Sequence, residues 1–147
     1  MASIGRNLEI MAAVRRVNRN LGKIASAVEA DVKQTMLAQM GLIAGEIKRV
    51  APVDPQSETP GALRDSVRVV EGQSTAKKAF VVKIVVGDTT TKKGKRPFNY
   101  PRGVEFGTQD KPAHPFFWPI WRLRRKGARL ATRKAAVQAV RKVWGDK

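Results

Sequence analysis

Between Val17 and Val50 the apolar residues fall at Val17, Leu21, Ile24, Val28, Val32, Met36, Met40, Ile43, Ile47 and Val50. Every step is three or four residues, which is the rhythm of one stripe on an amphipathic helix. At 1.5 Å rise per residue that helix is roughly 50 Å long. Gly22, Gly41 and Gly45 interrupt it, each weakening it by roughly 1 kcal/mol against alanine, and they are expected to permit close packing or a bend. The helix should stop before Pro52, because a residue preceding proline avoids the α region. Residues 1–16 read as an N-terminal arm, with Leu8 to Arg19 forming a separate short helix or the first turns of the long one.

Beyond the long helix the pattern changes. "APVDPQSETPG", Ala51 to Gly61, is a loop rich in proline and polar turn formers. Val67 and Val69 then alternate with Arg68, although Val70 blurs the alternation. In "AFVVKIVVGD", Phe80, Val82, Ile84 and Val86 share one face of a strand and Val81, Lys83 and Val85 the other. "GQSTAKK" between the two runs is a plausible hairpin connection. Residues 89–103, "TTTKKGKRPFNYPRG", read as a long exposed basic loop. Val104 to Phe106 reads as a short third strand. After Pro115 a second helix should run to about Trp144, with Ile120, Leu123, Leu130, Val137, Val140 and Trp144 among its apolar positions and Gly127 as a candidate kink. The expected fold is α+β: a long N-terminal amphipathic helix packed on a small antiparallel sheet, with a basic C-terminal helix. At 147 residues one domain spanning 1–147 is expected.

Composition narrows the chemistry. There is no cysteine, so no disulfide framework exists, and with a single histidine a structural zinc site is excluded. No apolar run approaches the roughly 20 residues of a membrane span, and Arg6 and Glu9 break any leader-like apolar core near the N-terminus, so a cytoplasmic origin is expected. The net charge of +17 is uneven: residues 1–60 carry +2, residues 61–120 carry +6 and residues 121–147 carry +9. Such a field attracts polyanions or acidic protein faces, although a solvated basic helix has the same composition.

Candidate catalytic groups are few. His114 alone could titrate near neutrality, and it lies in a loop between Ala113 and Pro115. No nucleophile elbow, P-loop or zinc-protease helix occurs. Asp54, Glu58 and Asp65 match no calcium loop and read as turn and cap residues. Glu105 sits inside an apolar run, so it should either point outward or pair with a cation. The expectation is a protein that is not an enzyme and holds no cofactor or metal.

Two stretches suit contact with DNA backbone or an acidic partner. In the first, Lys92, Lys93, Lys95 and Arg96 stand beside Phe98 and Tyr100, a loose likeness to a stacking strip. In the second, Arg122, Arg124, Arg125, Lys126 and Arg129 crowd one helix, with no helix-turn-helix to support base readout.

The segment "VEFGTQDKPAHPFFWPI" draws the elements together. Gly107 allows a backbone angle that other residues adopt only at a cost, and Pro112 and Pro115 stiffen the entry to the second helix. Phe116, Phe117 and Trp118 are adjacent and on a helix diverge, so one small domain struggles to bury all three. Each large aromatic left wet forgoes about 2–3 kcal/mol. They either plug the space between sheet and helix or mark a partner surface. The candidate subunit interface is Tyr100, Glu105, Phe106, Gly107, Thr108, Phe116, Phe117 and Trp118.

The order of these features resembles the tail-completion or neck family of long-tailed phages, the head–tail joining proteins. A long helix ends at "RVAPVD", "TPGALRDSV" follows, then strands, then Tyr100 with "EFGT" at Glu105 to Thr108, then "KPAHPFFWPIW" and a final helix. The likeness covers roughly Leu21 to Val143, and it is loosened where Pro60 separates Thr59 from Gly61 and Ala62 precedes Leu63. The resemblance implies a structural virion protein: a small α+β subunit of a homo-oligomeric ring at the neck. It implies portal or adaptor and tail-tube or terminator proteins as partners, genomic DNA passing nonspecifically through the ring, and no membrane. A stand-alone, sequence-indifferent DNA-binding protein is the alternative, as is a related ring component such as a head-closure stopper or tail terminator.

Overall fold

The three-four rhythm of the N-terminal half does form one helix. In the computed structural model, which describes residues 2–74, 80–87 and 100–145 with side chains from Glu9 onward, α1 runs unbroken over Ala2–Val50. The segment from Leu8 to Arg19 is therefore its first turns and not a separate helix. Lys48 and Arg49 occupy its last turn, where cations favour the carbonyl end of the helix dipole. Its last hydrogen bond runs from the Ala51 N–H to the Ile47 carbonyl at 2.9 Å, just before Pro52. A methyl group placed on Gly41 or Gly45 would meet nothing within 4 Å, so these glycines do not mark close packing.

After the proline loop come α2 (Ala62–Asp65), β1 (Arg68–Gln73), β2 (Phe80–Val85), α3 (Tyr100–Phe106) and α4 (Trp118–Trp144). The strands pair antiparallel, with Val69 opposite Ile84 and Glu71 opposite Val82. Val67 and Val82 are buried, and Val69, Ile84 and Val86 pack on the core, so the alternation read from the sequence holds while Val70 faces out. Ser66 fastens the corner below the sheet: its hydroxyl donates to the Leu63 carbonyl at 2.7 Å and accepts the Gly87 N–H at 3.0 Å.

The third strand is absent: Tyr100–Phe106 is helical. Val-Glu-Phe is too short to separate a period of two from one of 3.6. The deciding pairs are four residues apart, Tyr100 with Val104 on the core and Pro101 with Glu105 buried. Pro101 lies in the first turn, where a missing N–H loses no hydrogen bond. Of the basic loop expected over 89–103, residues 100–103 are helical and residues 89–99 lie outside the described residues; the sheet has two strands among the described residues.

The chain divides into two compact units, one of residues 1–35 with 130–147 and one of residues 36–129. In the second, Ile43, Ala44 and Ile47 of α1 cover the sheet face together with Leu63, Val67, Phe116 and Ala128. In the first, Ala139 is fully buried and Lys142 Nζ lies 3.1 Å from Asp31 Oδ2. Helix α4 differs from expectation in which residues it buries. Its covered positions include the small side chains Ala128 and Ala139, whereas Leu123, Leu130, Val137, Val140 and Trp144 are exposed. Small residues let two helix backbones approach, and the large side chains then point away.

Candidate functional site

Helix α3 stops at Gly107, whose φ of +78° is the left-handed conformation that glycine adopts without strain. A Cβ at this position would lie 2.9 Å from the Ala113 nitrogen and 3.1 Å from the Lys111 oxygen. The chain then doubles back. Thr108 N–H donates to the Lys111 carbonyl at 2.9 Å, Lys111 N–H returns to the Thr108 carbonyl at 3.4 Å, and His114 N–H donates to the Val104 carbonyl at 2.7 Å. "EFGT" and "KPAHPFF" are thus parts of one folded joint.

At the centre of that joint stands Glu105, which points inward and pairs with no cation among the described residues. It is 5% exposed. Its Oε2 accepts the backbone N–H groups of Phe116 and Phe117, both at 2.9 Å, and its Oε1 accepts that of Trp118 at 3.0 Å. These donors open α4, where backbone N–H groups lack partners within the helix and the dipole favours negative charge. A carboxylate from a different helix therefore caps α4. The cap lies 11 to 13 residues upstream of its partners, so no local capping pattern reveals it.

This cap sorts the candidate interface residues. Phe116 is driven inward, 2% exposed in the core, which corrects its reading as a surface aromatic. Phe117 is half-buried and meets Trp118 edge to face, with ring centroids 5.5 Å apart at 81°. Trp118 is 41% exposed and Phe106 is 62% exposed. Tyr100 is half-buried and Thr108 is exposed. Phe106 and Trp118 remain the large apolar side chains of this set that face solvent.

A groove of about 540 Å³ lies beside the joint. The proline loop supplies Pro52 and Thr59, α2 supplies Leu63, and the opposite wall holds Tyr100, Val104 and His114. Pro52 and Asp54 of "RVAPVD" and Thr108 of "EFGT" both line this groove, so the two elements of the sequence resemblance border one space. Asp54 Oδ1 accepts the Gln56 N–H at 3.0 Å in a side-chain turn. Nearby, Arg64 Nε lies 2.9 Å from Asp65 Oδ1; that hydrogen bond holds the Asp65 carboxyl below its usual range and raises the guanidinium. No group of three His, Asp or Glu among the described residues is placed to hold a metal. Sequence reasoning did not name Leu63 or Val104 as groove residues; the pairing of the two motifs was the signal available.

The basic candidates divide as well. Lys92, Lys93, Lys95 and Arg96 lie outside the described residues. Arg122, Arg125, Lys126 and Arg129, at helical spacings of three and four, share one exposed face of α4. Arg124 lies on another side, its Nε 2.7 Å from Glu46 Oε2.

With this geometry in place, comparison with known proteins adds one relationship. A family model described as "Bacteriophage HK97-gp10, putative tail-component" matches residues 15–107. The match takes in most of α1, the proline loop, the sheet, α3 and Gly107, and ends before the capped start of α4. Neither a curated relative nor a solved structure matches the chain.

Proposed function

Since the chain belongs to the HK97-gp10-like family of phage tail components, we propose that it is a structural subunit of the head–tail connector, one copy of a homo-oligomeric neck or tail-completion ring. The observation that carries this reading is the outward pair Phe106 and Trp118, held on a joint made rigid by the Glu105 cap and the Gly107 turn. Exposed aromatics on a stiff support are what a recurring interface needs, because little freedom is lost when they are covered. A heterologous contact of this kind, repeated by rotation, closes a ring.

In that ring the chain contacts itself, the portal or adaptor on one side and the tail-tube or terminator protein on the other. Genomic DNA passes nonspecifically through the channel. The exposed cations of α4 face either that DNA or the acidic rim of an adjoining ring. The proposed role is not catalytic. Glu105 is fully engaged by three backbone donors, and His114 is exposed and is placed by its backbone N–H. No helix among the described residues is long and apolar enough to cross a membrane, in keeping with a place in the virion.

Cryo-electron microscopy of intact particles tests the proposal. Density for this fold in a ring at the head–tail junction is expected; its absence from the particle, or its presence only elsewhere along the tail, overturns the connector role. A stand-alone DNA-binding protein is favoured only by the α4 cation face. A stopper or terminator role shares the ring and differs in which neighbour it touches.

A further inference from the structure

The N-terminal end of α1 carries an apolar stripe that nothing among the described residues covers. Ile10, Val14, Val17 and Leu21 are spaced four, three and four residues apart, and each is between 49% and 60% exposed. Every residue from Glu9 to Lys23 is exposed, and partial burial first appears at Ile24, Ala27 and Val28. Ile24 and Val28 continue the same spacing, so one seam is covered at its inner end and bare at its outer end. The arm is also a poor helix on its own: Asn18, Asn20 and Gly22 lower its intrinsic propensity. Such helices owe most of their stability to packing of the apolar face.

Two features say what covers it. First, the four-three alternation is that of a helix meeting another helix through a repeating seam. Second, the positions bordering the stripe, Met11, Ala13, Asn18 and Asn20, carry no charge, while Arg15, Arg16 and Arg19 lie on the far side. With Arg15, Arg16 and Arg19, the far side of the arm repels a second copy. This seam does not, because its edges are neutral. We infer that the stripe Ile10–Leu21 is an oligomerisation seam that pairs with the same stripe of a second copy of this chain. The inference rests on the ring reading for its biological setting, but it concerns the arm and not the Phe106–Trp118 joint.

The chain has no cysteine, which makes the test direct. Val14→Cys, Val17→Cys and Leu21→Cys are made singly in the full-length chain, with Arg15→Cys and Arg19→Cys as far-side controls. Each is oxidised alone and in pairwise mixtures, and helical content is checked by circular dichroism. The seam variants are expected to form disulfide-linked dimers at least several-fold faster than the controls. Same-position links indicate parallel arms, and Val14→Cys with Val17→Cys links indicate antiparallel ones; either supports the proposal. Equal reactivity of seam and far-side positions overturns it. So does protection of the seam cysteines from maleimide only when another tail protein or an anionic lipid vesicle is present. If seam links fail while the chain still assembles, the arm pairing is wrong and the ring reading stands.

Discussion

The carboxylate of Glu105 accepts the backbone N–H of Trp118 at 3.0 Å, and this bond joins the last turn of one helix to the first turn of another. With the two companion bonds to Phe116 and Phe117, one side chain answers three otherwise unmatched donors. The same bonds decide which aromatic is core and which is surface.

Replacing Glu105 with alanine should therefore destabilise the fold strongly. Hydrogen bonds to a charged group contribute about 1.5–3 kcal/mol each, and buried donors left unmatched add a penalty. A loss of about 3 kcal/mol or more is expected for Glu105→Ala. Glu105→Gln, which keeps one acceptor oxygen, should lose about half as much. Urea denaturation of the two variants checks both the size and the order.

Two glycine-to-alanine changes should act in opposite directions. At Gly107 the positive φ and the 2.9 Å approach of the Ala113 nitrogen make Gly107→Ala destabilising, by about 1–2 kcal/mol from the backbone alone. At Gly127, inside α4 with open space around it, Gly127→Ala should stabilise by up to about 1 kcal/mol. Thermal melts of the two variants read the signs directly.

The paired halves of this joint also show how far the sequence reaches. The long stripe of α1 and the alternation of β1 and β2 were legible because each repeats over several periods. Val104–Phe106 spans too little chain to reveal its period, and the residues that identify α3, Tyr100 and Pro101, fell inside a stretch that reads as loop. The Glu105 cap was hidden because its partners are backbone groups 11 to 13 residues away. The outward turn of Leu130, Val137 and Trp144 was hidden for another reason: large apolar residues look like core, while the alanines that α4 buries look like filler. Of the candidate interface, the joint as a region was legible, and its division into inner Phe116 and outer Phe106 and Trp118 was not.

If α4 faces DNA, its cations should not be equivalent. Changing Arg122, Arg125, Lys126 and Arg129 to glutamine should weaken duplex binding and flatten its salt dependence, by about 0.9 in log–log slope for each phosphate no longer neutralised. Arg124→Gln should leave that slope unchanged, because its guanidinium is engaged by Glu46 at 2.7 Å. Binding titrations across a range of salt concentrations separate the two cases.

Phe106 and Trp118 must be covered by neighbouring subunits if the joint builds a ring. Sedimentation velocity of the full-length chain, compared with a Phe106→Asp/Trp118→Asp double variant, decides whether they are. The unaltered chain should sediment as a closed oligomer, alone or on the portal or adaptor ring. The variant should keep its circular dichroism spectrum and remain a monomer. An unaltered chain that stays monomeric at high concentration and binds no portal, adaptor or tail protein would contradict the ring, as would a double variant that assembles normally.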